Sequence, residues 1–356
     1  MPTLWSEAPS GAALMLASEY NGYLYSKGRA IVGTIQMKVG KPNKDGMAAV
    51  KATMIGLDGK KKSLKAVGKG KVLVSTTGPT TVVLAGDDAC EVTFGSKGMS
   101  GTYGAYTIDG ALNVFTSKAA VDKSVAAAAL GKWKGALNVA WRLAGDGSPY
   151  QMLTVTIAAK GKAKVTGTLA DGTKVSASSQ LVVGEDWCCV PVVVAKKGKL
   201  AFEVWLPRGT AATSAAVVDG LADAIVGKPG TLRAGAKFCI DADAFAARWG
   251  QRALPYLPDG VPVTGGAKWT LPKAGKVVYV KGTTDVDEAK AGDNPSALKL
   301  IYTSKTGAFK GSFKAYVDVK GRPKATTVNV TGVLVGGIGY GAATVKKVGG
   351  VAVTVE

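Results

Sequence analysis

Hydrophobic and polar positions alternate along most of this chain. Leu153-Thr154-Val155-Thr156-Ile157, Lys276-Val277-Val278-Tyr279-Val280 and Thr327-Val328-Asn329-Val330-Thr331-Gly332-Val333-Leu334-Val335 carry the two-residue period of half-buried strands. Turn signals recur between such runs, at Asp58-Gly59, Asp109-Gly110, Asp171-Gly172, Lys197-Gly198 and Lys320-Gly321. Asp-Gly between alternating runs is a strong hairpin cue, because both residues tolerate the positive φ of a tight turn. The pattern predicts a mainly β fold, with antiparallel meanders forming barrel- or sandwich-like domains.

Aligning the hairpins brings out a diverged internal repeat. Gly46-Met47-Ala48-Ala49-Val50-Lys51-Ala52-Thr53-Met54, followed by Asp58-Gly59, matches Gly161-Lys162-Ala163-Lys164-Val165-Thr166-Gly167-Thr168-Leu169, followed by Asp171-Gly172. A looser third copy begins at Gly307-Ala308-Phe309. Each copy follows a strand, so the expected unit is a three-stranded meander. Three stretches break the β rhythm: 117–133, 213–226 and 241–250, each read as one or more helical turns, the first with an Ala-rich loop as alternative. Asp241 suits an N-cap and Gly250 a C′ position. These signals place one β-rich domain at 1–145 and a second at 146–356, the latter with two repeat units and an α-containing insertion near 210–260.

Composition narrows the chemistry. The chain has 356 residues and no histidine. That removes Ser-His-Asp and Cys-His catalysis and every His-ligated metal site. A hydrophobic fraction of 47% with only 20% charged residues excludes a disordered chain. Lys and Arg total 45 against 25 acids, a formal charge of +20. Dispersed lysine is read first as protection of strand edges and solvated faces, and otherwise as the footprint of an anionic partner. No run is apolar for long enough to form a membrane-spanning helix. The opening residues lack a signal-peptide layout, and Glu7-Ala8-Pro9-Ser10-Gly11 reads as a linker arriving from upstream.

Four cysteines leave two possibilities. Cys188 and Cys189 are too close in sequence to bridge each other, but on a strand they would point to opposite faces, toward Cys90 and Cys239. Otherwise all four are small buried thiols. No cofactor is implied. Acidic clusters at Asp87-Asp88, Glu185-Asp186, Asp241-Ala242-Asp243 and Asp285-Val286-Asp287-Glu288 are turn and cap residues first. Two of them facing each other across a cleft would suit glycosidic cleavage, with Asp241, Asp243, Asp285 and Asp287 as the carboxylates to replace. Asp285, Asp287 and Glu288, with Asp293, are the candidate hard-oxygen ligands for a cation. Gly336-Gly337-Ile338-Gly339-Tyr340-Gly341 lacks the Gly-Lys-Ser/Thr of a phosphate loop and reads as a hairpin. Ser296-Ala297-Leu298-Lys299 matches a Ser-x-x-Lys spacing without its companion motifs. Trp187, Trp205, Trp249 and Trp269, with Tyr256, surround the insertion and are the candidates for stacking on sugar rings, against the alternative that they fill the core.

Longer stretches carry a family likeness. They are Lys162 to Val175, Leu271-Pro272-Lys273-Ala274-Gly275-Lys276-Val277, Asn294-Pro295-Ser296-Ala297-Leu298-Lys299-Leu300, Thr331-Gly332-Val333-Leu334-Val335 and Gly339-Tyr340-Gly341. Together they resemble C-terminal β-modules of large bacterial cell-surface proteins that carry internalin-type repeats. The resemblance implies an exported, surface-attached setting within a longer chain and brings no catalytic residues with it. The expectation is a non-catalytic extracellular module for binding or architecture, engaging a glycan or anionic polymer. A carboxylate-dependent glycan-cleaving enzyme and a nucleic-acid binder are the alternatives.

Overall fold

Alternation over residues 18–112 closes a barrel. The computed structural model describes residues 2–5, 16–116, 128–143, 147–194, 200–208, 215–249, 253–254, 257–280, 291–319, 322–345 and 348–356. Its first nine strands are β1 (Ser18–Tyr25), β2 (Ile31–Val39), β3 (Met47–Gly56), β4 (Lys61–Ala66), β5 (Lys71–Leu73), β6 (Thr80–Ala85), β7 (Cys90–Phe94), β8 (Gly98–Tyr103) and β9 (Tyr106–Leu112). They follow the order β2-β1-β9-β8-β7-β6-β4-β3, and β2 pairs with β3 to complete the circle, while β5 adds to the end of β3. Eight strands leave an interior just wide enough for side chains to fill. Tyr20, Ile35, Met37, Val50, Val92, Phe94 and Met99 occupy it, each almost wholly buried. The Tyr20 hydroxyl donates to Gly95 O at 2.9 Å, so the largest polar group inside is satisfied.

Three barrel hairpins share one turn geometry. In Asn43–Met47 and Gly56–Lys60 the first and fifth residues are bonded and the fourth N–H donates back to the first carbonyl. The fourth residue is Gly46 (φ 75°) or Gly59 (φ 72°), where a side chain would be strained. Ser26–Ala30 is bonded the same way, yet its fourth residue is Arg29 at φ 60°.

The chain continues through β10 (Gly135–Arg142), β11 (Tyr150–Ile157), β12 (Lys162–Thr168), β13 (Lys174–Gln180), β14 (Val182–Val183), β15 (Trp187–Val194), β16 (Leu200–Pro207), β17 (Val217–Asp219) and β18 (Ile225–Gly227). After β19 (Lys237–Ile240) comes helix α1 (Ala242–Trp249), followed by β20 (Ala253–Leu254), β21 (Val261–Pro262), β22 (Lys299–Thr303), β23 (Ala308–Val319), β24 (Arg322–Val335), β25 (Ile338–Val345) and β26 (Gly349–Val355). These strands make a five-stranded sheet ordered β13-β12-β11-β10-β18, a four-stranded sheet ordered β14-β15-β16-β17, and an eight-stranded half-barrel. The half-barrel runs β20-β23-β24-β25-β26-β19-β21, with β22 paired to β23. Its core gathers Phe238, Phe245, Phe309, Phe313, Val328 and Val353. Asn138 on β10 is fully buried and fully bonded: its amide donates to Thr306 O and Leu334 O, and its carbonyl accepts from Thr154 Oγ1.

Contacts divide the chain into two units. One comprises 1–135, 156–165 and 176–221; the other comprises 136–155, 166–175 and 222–356. A single boundary at 145/146 therefore does not describe the division, because hairpins from the middle of the chain belong in part to each unit. The mainly β expectation holds, as does the short α-containing insertion, where Asp241 caps α1 through Ala244 N–H at 2.8 Å. Gly250 lies outside the described residues. The helical turns expected over 213–226 are instead β17 and β18 where they are described, since Glu203 and Trp205 on β16 recruit Asp219 and Val217 as strand partners. No strand forms over 276–280. That segment is tethered by Gly275 N–H to Asn294 O and uses its alternation to bury Val277.

The first two proposed repeat copies do share turns. Leu169–Thr173 repeats the bonding of Gly56–Lys60, with Gly172 at φ 84°. The three meanders nevertheless sit in three different sheets, and no repeat unit emerges. Gly336 (φ 59°) and Gly337 (φ 90°) form the two-residue turn between paired Val335 and Ile338, so the glycine-rich segment is a hairpin. Among the described residues no helix is long and apolar enough to cross a membrane.

Candidate functional site

Within the first unit, the outer wall of the barrel at β1, β2 and β9 is covered by one face of the four-stranded sheet. Alternation sends Tyr20 and Leu24 inward and Tyr23 and Tyr25 outward. On β16 the same rule puts Glu203 and Trp205 on the face that meets them, and Cys189 lies directly across from Trp205. Leu4, Tyr23, Ile31, Ala111, Val182, Cys189 and Trp205 form the dry part of this interface. Leu4 is completely buried and its carbonyl accepts from Glu185 N–H.

At the edge of that interface the polar groups collect. Pro2, Tyr23, Tyr25, Arg29, Glu203, Trp205 and Asp219 line a narrow pocket of about 10 Å³. Glu203 and Asp219 are opposed across β16 and β17, and Tyr23 and Asp109 are opposed across β1 and β9. Trp205 Nε1–H donates to Glu203 Oε2 at 3.0 Å, and the Tyr23 hydroxyl lies 3.4 Å from Asp109 Oδ2. The Tyr23 and Trp205 rings meet edge to face at 6.3 Å. The Arg29 guanidinium sits 5.7 Å from the centre of the Tyr25 ring.

Burial dominates the electrostatics here. Glu203 is only 7% exposed. Desolvation lifts its pKa from 4.5 to about 7; Asp219 and Asp109 add to the rise, while the Trp205 hydrogen bond and Arg29 oppose it. Desolvation likewise lifts Asp109 from 3.8 to about 6, against Gly110 N–H, the Tyr23 hydroxyl and Arg29. Burial also pushes the Tyr23 phenol far above its ordinary value. Near neutral pH Glu203 is therefore about half protonated, beside an Asp109 that is mostly ionised. A carboxyl in that state can donate a proton, or can stay neutral and hydrogen-bonded as part of the packing.

A second feature lies on the exposed wall of the same barrel. Lys38 on β2 faces Lys51 on β3, and Lys51 faces Lys65 on β4. All three are exposed. Directly opposed positions on antiparallel strands are about 4.5–5.5 Å apart, where like charges repel. The row begins with an acid: Glu19 faces Lys38 and pairs with it at 3.7 Å. Beside the row, Glu19, Lys38, Gly40, Ala49, Lys51 and Thr116 line a cleft of about 380 Å³.

The sequence-derived candidates fall mainly elsewhere. Of the aromatic set, Trp205 lines the carboxylate pocket but is 2% exposed, and Trp187 packs against the same interface. Trp269 is 6% exposed, stacked on Tyr302 at 4.7 Å, and Trp249 stacks on Phe245 at 4.4 Å. Tyr256 lies outside the described residues. Asp285, Asp287 and Glu288 also lie outside them, while Asp293 is an exposed turn residue. Among the described residues no group of three or more Cys, Asp or Glu could hold a metal ion. Asp241 is a helix cap and Asp243 sits in the first turn of α1. Ser296 is wholly buried, so the Ser-x-x-Lys spacing presents no nucleophile.

All four cysteines are free thiols. The bridge from the Cys188–Cys189 pair to Cys90 does not form: Cys90 faces the barrel interior, whereas Cys189 packs outside the barrel wall and Cys188 points to the opposite face of its sheet, its thiol toward Ala129 O. Cys239 donates locally to Lys237 O rather than to a partner thiol.

The fold and these features define a mainly β protein in which a filled, closed barrel carries a carboxylate pocket and a lysine row on its outer wall. Comparison of the chain with family models, with curated proteins and with solved structures gave no match.

Proposed function

We propose that this chain is a non-catalytic binding module that engages an acidic polymer, a glycan, through the exposed wall of its barrel. The observation that carries the reading is the lysine row. Lys51 is flanked across the sheet by Lys38 and Lys65, an arrangement that costs stability in the free protein and is compensated when an anion bridges the ammonium groups. One acid, Glu19, pairs with Lys38 at the end of the row, and among the described residues Lys51 and Lys65 have no ion-pair partner. The resemblance of residues 153–356 to β-modules of bacterial cell-surface proteins supports an extracellular setting for the same activity.

The test is an array of neutral, uronic-acid and sulfated glycans probed with the purified chain at low and moderate salt, with product release assayed in parallel. Binding to acidic glycans, weakened by salt and without cleavage, supports the reading. An absence of binding to every acidic glycan at low salt overturns it. Released oligosaccharide overturns it in favour of catalysis, with Glu203 and Asp109 as the carboxyls poised near neutrality.

A further inference from the structure

The lysine row is not an isolated patch of charge. It abuts a cleft lined by Glu19, Lys38, Gly40, Ala49, Lys51 and Thr116. Lys71, opposite Ala49 across β3 and β5, extends the basic surface beyond Lys51. The cleft volume of about 380 Å³ admits a sugar ring. The ammonium groups offer point charges for its carboxylate; Glu19 is already engaged, accepting from Gln36 Nε2–H at 2.6 Å and Asn113 Nδ2–H at 3.2 Å and pairing with Lys38.

Three observations narrow the anion. First, the row repeats at the spacing of opposed antiparallel strands, about 5 Å, which is comparable to the length of one pyranose residue in an extended 1→4-linked chain. Second, the basic groups are all lysine: no arginine occurs between Arg29 and Arg142. Bidentate recognition of phosphate favours the planar arginine fork, whereas a compact ammonium suits a single carboxylate oxygen. Third, the outward positions of the row and its neighbours are Lys, Gln36, Thr53 and Ser63, with no aromatic ring on which a base could stack. Resting on the glycan-binding reading above, we infer that the cleft and the Lys38–Lys51–Lys65 row form a binding site for a polymer of 1→4-linked hexuronate. One uronate sits in the cleft and its neighbours lie along the row, each carboxylate against an ammonium group.

The experiment measures binding of the full chain to polygalacturonate, to its fully methyl-esterified form and to a deoxythymidine oligonucleotide. The variants are Lys38→Gln/Lys51→Gln/Lys65→Gln and, as a charge-matched control, Lys162→Gln/Lys164→Gln/Lys174→Gln. Expected is binding of the acidic polymer only, weakened about tenfold or more by the row variant and little by the control. A third variant, Lys51→Glu, keeps the test independent of folding. It replaces two repulsions by two attractions, so it should raise the melting temperature while abolishing binding. Equal losses from row and control variants would overturn this site while leaving a glycan-binding module standing. Equal binding of the methyl ester, or tighter binding of the oligonucleotide, overturns the hexuronate assignment. Failure to bind any acidic glycan on the array overturns both.

Discussion

Replacing Glu203 by glutamine isolates the electrostatic cost of the carboxylate pocket. The side chain is almost wholly buried between the four-stranded sheet and the barrel wall, and its pKa rises from 4.5 to about 7. The folded state therefore binds this proton more tightly than the unfolded chain does. Stability is highest below about pH 4.5, falls as pH rises toward 7, and levels off once the group is ionised in both states. The rise sets a ceiling of about 3 kcal/mol on the cost of ionised Glu203. Coupling to Asp109 and Arg29 reduces what one substitution recovers to about 2 kcal/mol. Glutamine keeps an oxygen to accept from Trp205 Nε1–H and cannot ionise. At pH 8 the variant should melt about 4–8 °C above the parent; at pH 4 the two should coincide. Calorimetry across that range checks it. A variant less stable at pH 8, or a difference that does not change with pH, would refute the claim that desolvation governs this pocket.

Arg29→Gly tests the same site from the opposite side. Relief of the left-handed backbone should add about 0.5–1 kcal/mol at pH 4, whereas at pH 8 loss of the guanidinium beside Glu203 and Asp109 should make the variant less stable; melting curves at the two pH values show the crossover. Asn138→Ala removes three hydrogen bonds from a fully buried side chain, and should cost about 3 kcal/mol in denaturant unfolding. Thiol labelling of the native chain should modify Cys239, which is partly exposed, and leave Cys90, Cys188 and Cys189 unreacted until the protein unfolds.

Much of the architecture was legible because strand period and turn chemistry agree. Asp58-Gly59 and Asp171-Gly172 are turns for the reason the sequence suggests: Asp58 and Asp171 accept from the backbone two residues on, and the glycines take positive φ. Asp109-Gly110 carries the same dipeptide and lies inside β9. There the chain reverses earlier, at Gly104, and Gly110 is needed because a Cβ at that position would meet Asn21 O, Gly22 Cα and the Met99 side chain at 3.0 Å or less. A dipeptide cue cannot distinguish a turn from a close approach of strands. The pocket was missed for a related reason. In Phe202-Glu203-Val204-Trp205 the tryptophan is a stacking candidate with the core as its alternative, and Glu203 belongs to none of the acidic clusters. Two residues apart on a strand they share a face, and with Phe202, Val204 and Leu206 also buried both faces are covered. An acid inside a strand apolar on both faces was the available signal. The lysine row was invisible because register, not sequence spacing, brings Lys38, Lys51 and Lys65 side by side.

The closure of the barrel has a practical consequence. Tyr20 and Leu112 are partners on adjacent strands, so the chain enters and leaves the eight-stranded ring at the same place. Joining residue 112 to residue 18 by a short linker, and opening the exposed turn at Asp58-Gly59, would reorder the segments without removing a single rung of the ring. The ring is in that sense suited to circular permutation, provided that the four-stranded sheet covering its outer wall stays with it.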